Sequence, residues 1–342
     1  MKNEPLISVL LPVYNAAPYI REAIGSVLSQ TYRHFELIVV NDGSTDDSGQ
    51  VIASIIDPRI RVIEQANGGL PIALNRAIGV AQGAYLARQD ADDISLPLRF
   101  ERQVEFLETH PHYGMVGTWA EIKSDNPKVA KAHTHPTESA VIKFELLFDN
   151  PFVHSSMLIR RQAIERVGLY SAEKHIRPAE DYELWCRVAR EFEVANLPEF
   201  LQIYRDTPNS MSKGDINPFL ESVVNISIDN LAWITKRDAC DPAINDLAAF
   251  THGAYHRVRG HSSLHDLTNV LFEAADRLSL AERGRVGLLQ QNVQAHCQTV
   301  GHHYDIYRRY YKGGRLRRKV VQLSEMVKKA MPLRKSAVPR NQ

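Results

Sequence analysis

The first 110 residues alternate between continuous apolar runs and segments with helical spacing, and this alternation constrains the fold more than any other feature of the sequence. Four apolar runs have the composition of buried strands, at residues 7–15, 35–42, 59–65 and 84–90. A helical pattern follows each run, at residues 18–31, 44–56, 70–83 and 97–110. Strands that are apolar on both faces and alternate with helices predict a mostly parallel sheet with crossover helices. We therefore expect an α/β fold in this part of the chain.

Polar residues follow each of the four strands. In an open sheet of this kind, ligands bind beyond the carboxyl ends of the strands, so these residues are expected to lie close together. They are Tyr14 with Asn15, Asn41 with Asp42, Asn67 with Gly68, and Asp90 to Asp93. The sequence therefore predicts a binding site at this edge of the sheet.

The segment Asp90-Ala91-Asp92-Asp93 places three carboxylates directly after a predicted strand. Carboxylates two residues apart in an extended segment point the same way. Two such groups can hold one hard divalent cation, which prefers oxygen ligands. A solvated acidic turn or a helix cap is the alternative. The position beside three other polar strand ends favours the cation.

Other candidate residues have a structural and a functional interpretation. Asp42 either forms a turn with the following glycine or accepts an N–H from a nucleotide base, and Asn67 begins either a plain turn or a close backbone approach to a ligand. Glu180 and Asp181 open a predicted helix, where the helix dipole alone favours acids; the functional alternative is a general base across the cleft from the metal. His154 is expected to be structural, or to support a ligand by a hydrogen bond.

Beyond residue 110 the predicted secondary structure changes along the chain. Strands are expected at 113–122, 154–161 and 200–205, and an amphipathic helix at 179–192. From about residue 218 helical patterns follow one another, at 218–234, 265–278 and 281–298. We therefore predict an α/β domain over residues 1–215, an α-helical extension over 216–307 and a basic tail over 308–342.

Composition limits the function classes. The 342 residues carry a net charge of +1, and no nucleic-acid-binding module is visible, so we expect no nucleic-acid partner. Three separated cysteines fit a reducing compartment rather than a disulfide framework. We expect neither a signal peptide nor a transmembrane helix, and therefore a cytoplasmic protein.

The basic tail, residues 308–342, contains twelve Lys or Arg residues and one acid. Five apolar residues of 315–331 fall on one stripe of a helix, and basic residues occupy much of the remainder; the five are Leu316, Val320, Leu323, Val327 and Met331. Such a helix can lie on an anionic membrane surface, or it can pack on its own protein with a solvated charged face. The first alternative predicts peripheral contact with the inner face of the cell membrane.

The ordered set of motifs resembles glycosyltransferase family 2, and it extends over about residues 5–212. The matching segments are ISVLLPVYNAAPYIREAIGSVLSQTY, FELIVVNDGSTDDS, NGGLPIALNRAIGVAQGAYLARQDADDISLPLRFERQVEFL, NPFVHSSMLIRR and AEDYELWCRVAR. The resemblance implies the GT-A fold, a Rossmann-like, mostly parallel sheet flanked by helices. It also implies that residues 1–215 form a catalytic domain that binds a nucleotide-sugar and an acceptor.

The resemblance further implies roles for individual residues. The nucleotide-sugar would be bound by Pro12, Tyr14, Asn15, Asp42, Asn67, Arg88 and Asp90. Asp92 would be the direct ligand of Mn²⁺ or Mg²⁺. Asp181 would be the general base, and Glu180 would orient it or touch the acceptor.

The implied activity is inverting transfer of a sugar, with a UDP-sugar favoured as donor, to a glycan or lipid-linked acceptor in cell-envelope polysaccharide synthesis. One departure motivates an alternative, a sugar-nucleotide-binding or scaffold protein without turnover. Many family members carry a His that can ligate the metal where this chain has Thr207, in the run Tyr204-Arg205-Asp206-Thr207. A nucleotidyltransferase is disfavoured because PVYNAAPYI has neither the glycine nor the basic residue of a phosphate-binding loop.

Overall fold

The computed structural model describes residues 4–124, 126, 131–173, 176–207, 216–281 and 286–310. Within this part of the chain the strands are β1 (Ile7–Val13), β2 (Phe35–Asp42), β3 (Ile60–Gln65), β4 (Tyr85–Arg88), β5 (Ile94–Ser95), β6 (Tyr113–Lys123), β7 (Ala132–His133), β8 (Leu158–Arg160) and β9 (Glu193–Arg205). The helices of the first half are α1 (Ile20–Leu28), α2 (Ser48–Ala53), α3 (Leu70–Val80), α4 (Arg99–Thr109), α5 (Ser139–Glu145), α6 (Arg161–Val167) and α7 (Glu180–Glu191). Those of the second half are α8 (Ile216–Thr235), α9 (Pro242–Thr251), α10 (Leu264–Ala281) and α11 (Val286–Tyr310).

The strands form one mixed sheet in the order β3-β2-β1-β4-β8-β6-β9-β5. The short strand β7 lies outside this order and pairs with Ala120 and Glu121, near the C-terminal end of β6. Strands β1 to β4 are parallel to one another, and β6 is parallel to β9. β8 runs antiparallel between β4 and β6, while β5 and β7 are antiparallel to β9 and β6. The predicted α/β fold with a mostly parallel sheet is confirmed.

The apolar runs form the centre of the sheet because both of their faces are covered. Every residue of β1 is buried, as are seven of the eight residues of β2. α1 packs its predicted apolar face on this core through Ile20, Ile24 and Val27, none of which is exposed. Burying such side chains contributes about 1.5 to 3 kcal/mol each, which fixes the sheet and therefore the positions of the strand ends.

The structure differs from the sequence prediction in two strands that border the site. The predicted strand 154–161 is a 3₁₀ turn at His154–Ser156, followed by β8 and the start of α6. The hydroxyl of Ser156 accepts a bond from the Thr118 amide and donates to the Val153 carbonyl, so side-chain bonds replace a ladder here. β9 begins at Glu193 rather than 200, because an irregularity in its pairing with β6 accommodates Pro198.

The chain divides into two compact units. The first comprises Met1–Ile142 and Asn150–Ile216, and it contains the sheet. The second comprises Lys143–Asp149 and Asn217–Gln342, and its described part is helical, with a core that includes Leu247, Phe250 and Leu271. Among the described helices, none is both long enough and apolar enough to cross a membrane. The amphipathic helix predicted over 315–331 lies outside the described residues.

Candidate active site

The loops after β1 and β2 are joined by hydrogen bonds that begin at Asn15. The side-chain oxygen of Asn15 accepts a hydrogen bond from the backbone amide of Thr45 at 2.8 Å, and the backbone amide of Asn15 donates to Ser44 Oγ at 3.1 Å. Asn15 has a φ of 50°, a left-handed conformation that asparagine tolerates better than most residues. Of the neighbouring predicted residues, Pro12 is buried within β1, whereas the Tyr14 side chain remains 54% exposed and available to a ligand.

Asp42, at the end of β2, holds the loop that follows β3. One carboxylate oxygen accepts from Gln65 Nε2 and the Gly68 amide, and the other from the Gly69 amide, each at 2.8 Å. Gly69 has a φ of 88°, which favours glycine. Asp42 therefore shapes the loop that carries the exposed Asn67, a structural task that sequence reasoning missed. The nucleotide-binding roles of Asp42 and Asn67 stay predictions.

The three carboxylates after β4 have different environments. Arg88, which is 1% exposed, forms an ion pair with Asp90 and donates to the Gln89 carbonyl. Asp92 lies 3.5 Å from the hydroxyl of Thr207, and burial together with the charge of Asp90 raises the pKa of Asp92 to about 6. Thr207 is the position where sequence reasoning placed the departure from the family pattern. The structure sets that residue beside the predicted metal ligand.

Asp93 is a structural residue in this arrangement. It is 1% exposed, accepts a bond from the Arg205 amide at 2.9 Å and accepts a second bond from the Ser155 hydroxyl. Burial and the charges of Asp90 and Asp92 raise its pKa well above the usual value for aspartate. Asp93 thus connects residues 90–93, here called the acidic loop, to the end of β9 and to the 3₁₀ turn at His154–Ser156.

The acidic loop fits a divalent cation that is shared with a substrate. Among the described residues, no group of three or more His, Cys, Asp or Glu side chains could hold a metal ion alone. Asp92 supplies hard oxygen ligands, and its raised pKa shows that a nearby cation would relieve the cost of ionising it. Mg²⁺ and similar ions take one or two carboxylates and complete their coordination with phosphates and water, so these residues fit the expected group.

Two further carboxylates lie at the start of α7. Asp181 Oδ2 accepts from Asn150 Nδ2 at 2.9 Å, and Oδ1 accepts from the amide of Tyr182 at 2.7 Å. Burial, and then the charge of Glu180, raise the pKa of Asp181 to about 7. Glu180 is 3% exposed, and burial also raises its pKa. Asp181 can therefore exchange a proton near neutral pH, as a general base must.

Two residues that sequence reasoning did not place in the site connect its parts. His154 Nε2 lies 3.3 Å from Arg88 Nε, and His154 Nδ1 lies 3.9 Å from Asp181 Oδ2, so the acidic loop and the start of α7 meet through this ring. A Cβ atom at Gly69 would lie 3.2 Å from Arg177 Nη1, and the charge of Arg177 acts on Glu180. The loop after β3, which contains Gly69, therefore lies beside the segment that leads into α7. No local pattern signals these contacts, because the partners are far apart in sequence.

The domain has a mostly parallel sheet, an acidic loop at one strand end, and the buried Glu180 with the half-buried Asp181 at a helix start. This is the architecture of a GT-A glycosyltransferase. Comparison with known proteins supports this class: the profile described as Glycosyl transferase family 2 matches residues 8–168. An uncharacterized glycosyltransferase of Haemophilus influenzae is 32% identical over 292 residues, which are 82% of this chain and 90% of that protein. The chain belongs to glycosyltransferase family 2.

Two more similarities bear on the protein. The O-antigen biosynthesis glycosyltransferase WbnJ of Escherichia coli is 31% identical over 216 residues, which are 61% of this chain and 82% of that protein. The crystal structure of S. aureus TarS 1-349 in complex with UDP-GlcNAc is similar with a TM-score of 0.59 and 18% identity. The match covers 89% of this chain and 93% of that one, and at this identity it is a likeness of fold.

Proposed function

We propose that this glycosyltransferase transfers a sugar from a UDP-sugar to a hydroxyl group of its acceptor with inversion, using Asp181 as general base and Asp92 as ligand of Mn²⁺ or Mg²⁺. The observation that carries the proposal is the half-buried carboxylate of Asp181, whose pKa is raised to about 7 and which faces the acidic loop through His154. The donor class rests on the fold shared with a protein crystallised with UDP-GlcNAc.

The nucleotide part of the donor would bind over the loops after β1, β2 and β3. The exposed ring of Tyr14 offers a surface for the base, and the loop that Asp42 fixes would contribute Asn67. Arg88 is 1% exposed and donates to His154, the Gln89 carbonyl and Asp90, so it would act on the donor by orienting Asp90.

Asp92, with Asp90 beside it, would hold the divalent cation at the diphosphate. Bound there, the cation would neutralise the charge that develops on the leaving diphosphate. The hydroxyl of Thr207 beside Asp92 offers a neutral oxygen in place of an imidazole, so substrate and water oxygens would complete the coordination.

Asp181 would take the proton of the acceptor hydroxyl as that oxygen attacks C1 of the donor sugar. The new bond joins the acceptor oxygen to C1, the bond from C1 to the phosphate oxygen breaks, and UDP leaves with the bonding electrons. Attack from the face opposite the diphosphate inverts the anomeric centre, as in enzymes that place one base across from the leaving group. The bond from Asn150 keeps the carboxylate in place for this step.

The acceptor that we propose is a glycan or a lipid-linked glycan in cell-envelope polysaccharide synthesis. Support comes from the similarity to an O-antigen biosynthesis enzyme. A cytoplasmic location with peripheral membrane contact through residues 315–331 would suit such an acceptor.

A sugar-nucleotide-binding protein without turnover is the second candidate, and Thr207 favours it because family members often carry a metal-binding His there. Calorimetric titration of UDP, GDP and dTDP, with and without Mn²⁺, tests the site. We expect Mn²⁺-dependent binding of UDP that is lost in Asp92→Ala.

Release of UDP from UDP-sugars then tests turnover, which Asp181→Asn should abolish while UDP binding persists. Binding of no nucleotide would refute the donor site, and binding without turnover would favour the second candidate.

A further inference from the structure

We propose that His154 is a positioning residue for Asp181, with its imidazole held neutral and fixed by Arg88 so that the Nδ1 proton faces the Asp181 carboxylate. The inference rests on the proposed function in one respect, since it takes Asp181 as the base.

The hydrogen bonds to Nε2 determine where the imidazole carries its proton. Arg88 Nε lies 3.3 Å from His154 Nε2, and a guanidinium can only donate. Nε2 must therefore be the acceptor, and the Tyr170 hydroxyl, 3.2 Å away, can donate to the same nitrogen. A neutral imidazole with an unprotonated Nε2 carries its proton on Nδ1. That is the nitrogen 3.9 Å from Asp181 Oδ2.

The surroundings of the ring keep it neutral and prevent rotation. Burial, and then the charge of Arg88, lower the pKa of His154 well below its usual value. The rings of Tyr170 and Trp185 pack against it, each with its centroid 5.8 Å from that of the imidazole. The 3₁₀ turn that carries His154 is itself anchored, since the Ser155 hydroxyl bonds to Asp93.

The ring therefore forms one side of a holder for Asp181. Asn150 donates to Oδ2 from the segment that precedes the turn, and the amide of Tyr182 donates to Oδ1 from α7. The charged and titratable groups that face this carboxylate are Glu180 on its own helix, His154 with Arg88 behind it, and the Tyr170 hydroxyl. The 3.9 Å between Nδ1 and Oδ2 is longer than a hydrogen bond, so the Nδ1–H group acts on the Asp181 carboxylate by its partial charge and leaves a lone pair of Oδ2 for the acceptor's proton.

Three variants separate positioning from a structural role. His154→Phe keeps a ring but removes both nitrogens, whereas His154→Gln can still accept from Arg88 and donate towards Asp181. Tyr170→Phe removes the second donor to Nε2 and leaves Nδ1 untouched. Misplacing a catalytic group by about 1 Å can cost about 100-fold in rate. We therefore expect kcat to fall about 10- to 100-fold in His154→Phe and to recover in part in His154→Gln. Tyr170→Phe should lower kcat less than His154→Phe does, because Arg88 still donates to Nε2.

The Kd for UDP in the presence of Mn²⁺ should change much less than kcat across the three variants, because Arg88 keeps its ion pair with Asp90 in each of them. The acid limb of the kcat profile should move to higher pH in His154→Phe, since a donor that faces the carboxylate has been removed. A decrease in kcat that His154→Gln does not relieve, with an unmoved pH profile, would show a structural role only and would overturn the proposal.

A second measurement needs no turnover. In protein labelled with ¹⁵N-histidine, the resonances missing from His154→Gln identify His154 among the 14 histidines. We expect a protonated Nδ1 and an unprotonated Nε2 throughout the neutral pH range, with the Nδ1 resonance shifted in Asp181→Asn. A protonated Nε2, or an imidazolium at neutral pH, would overturn the inference even if the enzyme is active. Conversely, the expected tautomer in a protein whose turnover survives Asp181→Asn would refute the base assignment and leave the geometry of His154 intact.

Discussion

Replacing Asp181 with Asn should stabilise the folded protein above neutral pH while it removes the proposed base. Burial and Glu180 raise the pKa of Asp181 from 3.8 to about 7. A folded-state pKa above the unfolded value contributes stability that is fully present below pH 3.8 and is lost as the pH rises through about 7. The ionised carboxylate therefore costs the folded state free energy at alkaline pH, and the neutral amide of Asn avoids this cost.

The magnitude follows from the shift and from the hydrogen bonds of Asp181. One pKa unit corresponds to about 1.4 kcal/mol, so the rise from 3.8 to about 7 corresponds to about 4 kcal/mol. Asp181 accepts bonds on both oxygens, and Asn has one oxygen, so one bond is lost at a cost of about 1 to 2 kcal/mol. The net expectation is stabilisation by about 2 to 3 kcal/mol at about pH 8 and slight destabilisation near pH 4.

Urea unfolding followed by tryptophan fluorescence at several pH values measures this difference in the free energy of unfolding. Asp57→Asn is the matched control, because a hydrogen bond from Arg59 lowers the pKa of Asp57 to about 2. A depressed folded-state pKa contributes stability that is present above 3.8 and lost as the pH falls through about 2. The control should therefore destabilise the protein by a constant amount between about pH 5 and 8. A constant difference for Asp181→Asn over the same range would refute the reasoning, since Asp181 would then titrate like an ordinary aspartate.

Three further predictions concern other residues of the site. Asp93→Ala leaves the Arg205 amide and the Ser155 hydroxyl without their acceptor and should lower the free energy of unfolding by about 2 to 5 kcal/mol in urea at about pH 4, where the raised pKa of Asp93 adds no cost of ionisation to the folded state; an unchanged value would contradict the structural role of Asp93. Thr207→His places an imidazole beside Asp92 and should strengthen the Mn²⁺ dependence of UDP binding in calorimetry, whereas unchanged binding would argue against a metal at this carboxylate. Asn150→Ala removes a bond that lowers the pKa of Asp181, so the acid limb of the pH–rate profile should move to higher pH; an unmoved limb would count against the base assignment.

The position of the residues that follow β1 to β4 could be predicted from the sequence, because parallel strands all end at the same edge of a sheet. Once four apolar runs are assigned to one sheet, the residues that follow them must meet at one edge. β9 was predicted too short because Pro198 is a strand-breaking signal, and only its pairing with β6 shows that an irregularity accommodates it.

The supports of the candidate site could not be predicted in the same way. His154 lies 66 residues from Arg88, and Asn150 lies 31 residues from Asp181, so no periodicity or spacing connects them. Asp93 shows a second limit of sequence reasoning. It belongs to the same acidic run as Asp92, yet its carboxylate faces the Arg205 amide and the Ser155 hydroxyl. Which carboxylate of a run is functional depends on partners from elsewhere in the fold.

Asp92 and Asp181 both have a raised pKa, but the groups around them differ. Each carboxylate is half-buried near a second acid, and each therefore has a raised pKa, about 6 for Asp92 and about 7 for Asp181. Either a cation or a proton relieves such a cost. Asp92 shares its loop with Asp90 and has a neutral hydroxyl beside it, which favours a cation; Asp181 faces an uncharged imidazole and an amide, which favour a proton. Under the proposed function, burial prepares one carboxylate to bind the donor's metal and the other to deprotonate the acceptor, and the two tasks differ through their neighbours alone.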